Sequence, residues 1–238
     1  MEIRSGEVHI WVAAISEHAT RLDGFEQLLS DEERERAAAF TRDGGRIRFI
    51  TGRGILRLLL SRYLDDDPAE IAISQTRLGK PMLAGESGGR IFFSLSHSED
   101  LVLVALSPSW EIGVDLEFLR TLQIDRMIPL CVAPVEREEM EKLPKRTKRR
   151  RFFELWTRKE ALAKAVGLGL KLSLRDIIFQ AVEPKDGLGS KLALTSAPAV
   201  MGDPQRWQVV PLEISDEYVA AVAVPGADPV LCLRRFEG

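Results

Sequence analysis

The sequence predicts an α+β fold of two similar α/β halves, and three observations carry that reading. Short apolar runs of strand length alternate with two longer stretches in which apolar residues recur at helical spacing. The two helical stretches echo one another. FITGRGIL at 49–56 and LWTRKEAL at 155–162 match in a threonine, a basic residue and a leucine, and each opens a helix that leads through a loop to a strand. A Pro108-Ser109 turn lies between them, so residues 1–108 form one half and 109–238 the other.

The opening MEIRSGEVHIWVAAI reads as a first strand and lacks the basic start and continuous apolar block of a secretory signal. Ser30 caps a helix that runs to Phe40, with Glu33 completing a capping box. Arg42 to Gly45 interrupts it. Ile47, Ile50, Gly54 and Leu58 then define a second helix that stops at the DDDP run, Asp65 to Pro68. A strand at 70–76 leads into the turn Arg77-Leu78-Gly79-Lys80-Pro81, and strands at 91–95 and 101–106 are joined by Ser96-His97-Ser98-Glu99-Asp100. IGVDLE, 112–117, is the first strand of the second half. Residues 122–143 read as helical but broken by Pro129 and Pro134, and a long helix from Arg150 to Val166 ends at Gly167-Leu168-Gly169. Strands at 177–182, 191–195, 207–212 and 218–224 follow.

With 238 residues, 45% of them hydrophobic and 29% charged, the chain can bury a sizeable core. Its net charge of −3 gives nothing global to recruit nucleic acid or an anionic membrane. No apolar run approaches membrane-spanning length. Cys131 and Cys232 stand far apart without metal-type spacing and read as reduced thiols, which places the protein in the cytoplasm.

The chemistry gathers in two places. In IGVDLE, side chains alternate, so Asp115 and Glu117 share one face of the strand roughly 6.6 Å apart. The pair is either the wet face of an edge strand or a site for a hard cation, which would turn repulsion on the order of 2.5 kcal/mol into attraction. Gly113, beside them, marks close approach of a ligand or of another backbone. In WTRKEALAKAVG, 156–167, Glu160 and Lys164 lie one turn apart on one face, as a surface ion pair or as a metal carboxylate with a phosphate-binding cation. Lys159 faces elsewhere, towards a second phosphate or only water. Six cations crowd into Lys145–Arg151, in a loop before the helix.

Together these pieces resemble the signature of the 4′-phosphopantetheinyl transferase superfamily, in its longer Sfp-type branch. Leu78-Gly79-Lys80-Pro81, Phe93-Ser94-Leu95-Ser96-His97-Ser98, IGVDLE and WTRKEALAKAVG fall in the family's order over roughly residues 28 to 170. The resemblance implies two similar halves related by a pseudo-twofold, with the active site in the cleft between them. It implies an enzyme that moves the phosphopantetheine arm of coenzyme A onto a serine of an apo acyl- or peptidyl-carrier protein and releases 3′,5′-ADP. Asp115, Glu117 and Glu160 would hold Mg²⁺ (Mn²⁺ would also serve), and Lys164 with Glu160 would act on the reacting phosphate. Arg36, Arg48, Lys80, Pro81, Ser96, His97, Lys159 and Lys164 would bind the coenzyme, and Glu136 would be a general base or a further metal contact. A monomer without nucleic acid or membrane partners is implied. One position departs from the pattern: Glu33 stands where a basic residue often serves the 3′-phosphate, so either its capping role prevails or Arg48 and Arg53 compensate. A Mg²⁺-dependent phosphohydrolase and a non-catalytic coenzyme-binding module are the competing readings.

Overall fold

The apolar runs form strands of separate sheets, and the two larger sheets each pack against one long helix. The structure, a computed structural model, describes residues 1–120, 124–169, 172–182, 191–226 and 228–238. It divides into two units, Met1–Trp110 with Pro229–Gly238, and Glu111–Asp228.

In the first unit, β1 (Glu7–Ala14), β4 (Phe92–Ser98), β5 (Leu101–Ser107) and β11 (Val230–Arg235) form a sheet in the order β11-β1-β5-β4. The β4–β5 connection is two residues long, with Glu99 at φ 47°. Ser96-His97-Ser98 therefore belongs to the strand rather than to a five-residue joint. Ser94, Ser96 and Ser98 alternate onto one buried face. Two helices, α1 (Leu22–Leu28) and α3 (Asp43–Leu64), pack closely at Gly54, where a Cβ would stand 2.4 Å from the Phe25 ring. Between them, α2 (Asp31–Ala38) begins with the expected Ser30–Glu33 capping box. Strands β2 (Ile73–Gln75) and β3 (Pro81–Leu83) pair as a small hairpin. The strand β11 pairs parallel to β1 and buries Phe236 completely just beyond its end. No pattern in the sequence announced it.

In the second unit, β6 (Gly113–Phe118), β9 (Trp207–Leu212) and β10 (Tyr218–Pro225) make an antiparallel sheet in the order β6-β10-β9. Short helices α4 (Ile128–Cys131) and α5 (Pro134–Glu141) precede α6 (Lys145–Val166), and β7 (Ile178–Val182) pairs with β8 (Lys191–Ser196). The start of the helical stretch expected from residue 122 lies outside the described residues. Phe152, Phe153, Leu155 and Leu162 of α6 pack with Ala221 and Ala223 of β10 in the core. The basic run Lys145–Arg151 is not a loop: it forms the first two turns of α6, with no acidic residue in its first turn. Each unit thus pairs one 22-residue helix with a sheet, although one sheet has four strands including a parallel pair and the other three antiparallel ones.

Candidate active site

The centre of the candidate site is set by a glycine. Gly113, Asp115 and Glu117 lie on one face of β6. A Cβ on Gly113 would stand 1.9 Å from the Ala161 carbonyl oxygen and 2.4 Å from the Ala165 amide nitrogen. The close approach signalled by this glycine is thus to the backbone of α6, in the turn that carries Glu160 and Lys164. That contact brings Asp115 to Lys164, whose Nζ donates to Asp115 Oδ1 at 2.8 Å. Asp115 is 5% exposed, so its charge acts strongly on its surroundings. Glu160 is held above the usual carboxylate range first by burial and then by the negative charge of Asp115, while Lys164 pulls it back. Glu117 is half-buried at the far end of the same face.

Among the described residues, no three His, Cys, Asp or Glu side chains converge as a ready-made metal cluster. The donor set still suits a hard cation. Burial and then the negative charge of Asp115 make Glu160 resist ionisation, and oxygen-preferring divalent ions neutralise that kind of pair.

Two expected site residues are occupied elsewhere. Glu136 is not a solvated glutamate of an acidic run: it is 1% exposed and accepts from Lys159 Nζ at 2.5 Å, from the Ala133 amide at 2.8 Å and from the Phe179 amide at 2.8 Å. Lys159 is fully buried and also donates to the Cys131 carbonyl at 2.8 Å. Burial pushes the Lys159 ammonium down from its ordinary value while Glu136 holds it up. The pair ties α5, α6 and β7 together. Lys159 is shut off from solvent with its ammonium engaged by Glu136 and Cys131, and both oxygens of Glu136 are engaged, which argues against the expected coenzyme contact and general base. Neighbouring Cys131 is a buried thiol pushed up to about 11, mainly by burial.

The nucleotide-side candidates lie in the first unit. Arg36, in the last turn of α2, stands over the Phe49 ring at 5.4 Å, and Arg53 over the same ring at 5.7 Å. Arg48 is half-buried on α3. Lys80 and Pro81 close the β2–β3 hairpin, where Gly79 adopts φ 87° and the Thr76 amide donates to the Lys80 carbonyl at 2.8 Å. Ser96 is buried and His97 exposed on β4. The anomalous Glu33 is 9% exposed and accepts from Arg57 Nε at 2.8 Å, with Arg53 Nε at 3.6 Å. Arg57, itself 1% exposed, also donates to the carbonyls of Pro68 and Ile71. Glu33 thus caps α2 and neutralises two buried guanidiniums at once. The sequence showed the cap; nothing in it showed that Arg57, one α3 turn beyond Arg53, would share the carboxylate.

The sequence pattern of the 4′-phosphopantetheinyl transferase superfamily matches residues 111–223, and that of the 4′-phosphopantetheinyl transferase N-terminal region matches residues 16–109. The chain is 36% identical to the 4′-phosphopantetheinyl transferase HetI of Nostoc sp. over 95% of its own length and 91% of that protein's. The chain belongs to the 4′-phosphopantetheinyl transferase superfamily. A phosphopantetheinyl transferase of Thraustochytrium sp. is 28% identical over 95% of this chain and 83% of its own. Among solved structures, a holo-(acyl-carrier-protein) synthase from Bacillus anthracis, in complex with CoA (3′,5′-ADP), covers 49% of this chain and 96% of itself at 19% identity, with a TM-score of 0.36. As a transferase of this superfamily the protein is an enzyme.

Proposed function

We propose that this phosphopantetheinyl transferase moves the phosphopantetheine arm of coenzyme A to a serine of an apo acyl- or peptidyl-carrier protein with the help of Mg²⁺. The observation that carries the reading is the set Asp115, Glu160 and Lys164, pressed together where Gly113 lets β6 meet α6. Asp115, Glu117 and Glu160 would hold the ion, which supplies charge neutralisation to the pyrophosphate when bound. Lys164 adds a fixed cation beside the same carboxylates, placed to meet negative charge that grows on the leaving phosphate. From the first unit, Arg36, Arg48, Lys80, Pro81, Ser96 and His97 serve the nucleotide and its phosphates, by the family resemblance of their motifs.

In the reaction the serine oxygen forms a bond to the phosphorus next to the pantetheine. The bond from that phosphorus to the nucleotide phosphate breaks, and 3′,5′-ADP departs with the electron pair. The serine proton passes to an acceptor other than Glu136, whose oxygens are already taken.

Purified protein with coenzyme A, Mg²⁺ and an apo carrier should raise the carrier's intact mass by one phosphopantetheine group on a single serine. EDTA should stop the reaction and excess Mg²⁺ or Mn²⁺ restore it. Cleavage of coenzyme A without a gain in carrier mass would replace this reading with a phosphohydrolase. Binding without either change would leave a non-catalytic module.

A further inference from the structure

We propose a second anion-binding pocket, distinct from the Asp115–Glu160–Lys164 centre, that takes a compact oxyanion of the phosphate or carboxylate kind on Arg150, Arg151 and Arg158. The second unit holds a cleft of about 870 Å³ whose lining includes these three arginines, Leu212 and Tyr218. Arg158 carries the argument. It is 7% exposed, its Nη1 donates to the Glu154 carbonyl at 2.9 Å, and its buried Nε has no hydrogen-bond partner. A guanidinium in that position has been taken out of water without all its donors being met, an arrangement that is costly unless a ligand completes it.

The other charges in the cleft do not complete it. Glu154 is the one carboxylate within ion-pair reach of the three arginines among the described residues. It lies 3.4 Å from Arg150 Nε and 3.2 Å from Arg151 Nε, so it is shared between two guanidiniums before Arg158 is counted. Arg150 further donates to the Asp216 backbone carbonyl at 3.4 Å. Glu213 and Asp216 also line the cleft, yet among the described residues neither forms an ion pair with Arg150, Arg151 or Arg158. Guanidinium groups present forked donors that suit two oxygens of one anion, and such charge-assisted bonds are stronger than neutral ones. The apolar part of the lining gives the cleft room for whatever body carries the oxyanion. On α6, Arg158 is two residues before Glu160 and so points about 160° away from it. The pocket and the catalytic carboxylates therefore use different faces of one helix.

The test follows the Nε–H signal of Arg158 by NMR in ¹⁵N-labelled full-length protein, assigned by its loss in Arg158→Lys. Inorganic phosphate and acetate are titrated separately at constant ionic strength. Saturable displacement of the signal by phosphate, by acetate or by both supports the pocket and identifies the group it prefers. The double variant Arg150→Gln/Arg151→Gln changes positions that are not buried, and it should weaken the apparent affinity about tenfold or more. Lys164→Ala should leave the displacement intact, which separates this pocket from phosphate held at the catalytic centre. A signal that does not move, that drifts without saturating, that responds equally in the double variant, or that is lost in Lys164→Ala overturns the proposal. None of these outcomes depends on transferase turnover.

Discussion

Gly113 is the smallest residue of the site and the one on which its geometry depends. Replacing it by alanine would place a methyl group 1.9 Å from the Ala161 oxygen, with backbone on both sides and no flexible side chain to yield. Gly113→Ala should therefore destabilise the protein by about 1–3 kcal/mol or more and move Asp115 away from Lys164. The expected readout is a lower melting temperature together with reduced turnover even below it; turnover at the parental level would show that the close approach is not needed for catalysis. The Glu136–Lys159 pair makes a second prediction. Removing either partner leaves a buried charge and should cost about 3–5 kcal/mol, while Glu136→Leu with Lys159→Met should recover most of that loss. If the pair is structural, the double variant keeps turnover within about tenfold of the parent; a general base would cost about 10²- to 10⁴-fold. The sequence made Asp115, Glu160 and Lys164 legible, because strand alternation and the helical turn fix their faces. It left Glu136 and Lys159 illegible, because a glutamate inside EREEMEK looks solvated until the fold supplies the amides of Ala133 and Phe179.

The helix α6 shows how far local reading reaches. Its apolar stripe is plain from Leu155, Leu162 and Val166, but its first turns look like a loop in the sequence, where Lys145, Arg146, Lys148, Arg149, Arg150 and Arg151 crowd an end at which helices favour acids. Packing of Phe152 and Phe153 in the core extends the helix against that local preference. Strand β4 looks shorter in sequence than it is for a related reason: the polar Ser-His-Ser resembles a turn until its pairing with β5, Ser96 to Leu103 and Ser98 to Leu101, makes it strand. The cations at the start of α6 cost the helix something, and that cost suggests a use. Changing Lys145, Arg146 and Lys148 to glutamate should stabilise α6 by about 0.3–1 kcal/mol per position. The same change should raise the Michaelis constant for an acidic carrier and flatten its salt dependence, leaving that for coenzyme A nearly unchanged. A higher melting temperature with unaltered carrier kinetics would mean that the run is not a docking surface.

The first unit is completed by residues far along the chain, and a buried histidine sits at that junction. His9 on β1 is 1% exposed; its Nδ1 lies 2.6 Å from the Tyr63 hydroxyl, its Nε2 3.4 Å from Glu7 and 3.4 Å from Arg234 of β11. Burial first, and then the Arg234 charge, hold its pKa below the ordinary value of 6.5, with Glu7 opposing. The unfolded chain takes up that proton before the folded one does, so stability should fall as pH drops from about 6.5 towards the lower folded value, and level off below it. His9→Gln should flatten this part of the curve of denaturation midpoint against pH; an unchanged slope would assign it to other groups. The capping box of α2, the glycine that ends α6 and most strands could be read from the sequence, whereas β11 could not, because a six-residue strand at the edge of a sheet carries its meaning only in the partner it finds, Glu7–Val12 of β1. That pairing also orders events during synthesis. Residues 111–228 leave the ribosome as an uninterrupted stretch and can close their own core at once, while residues 1–110 must wait for 229–238. The part made first is finished last, and throughout that interval the β1 edge is bare and the place of Phe236 is empty, so a chaperone has most to protect on the oldest part of the nascent chain.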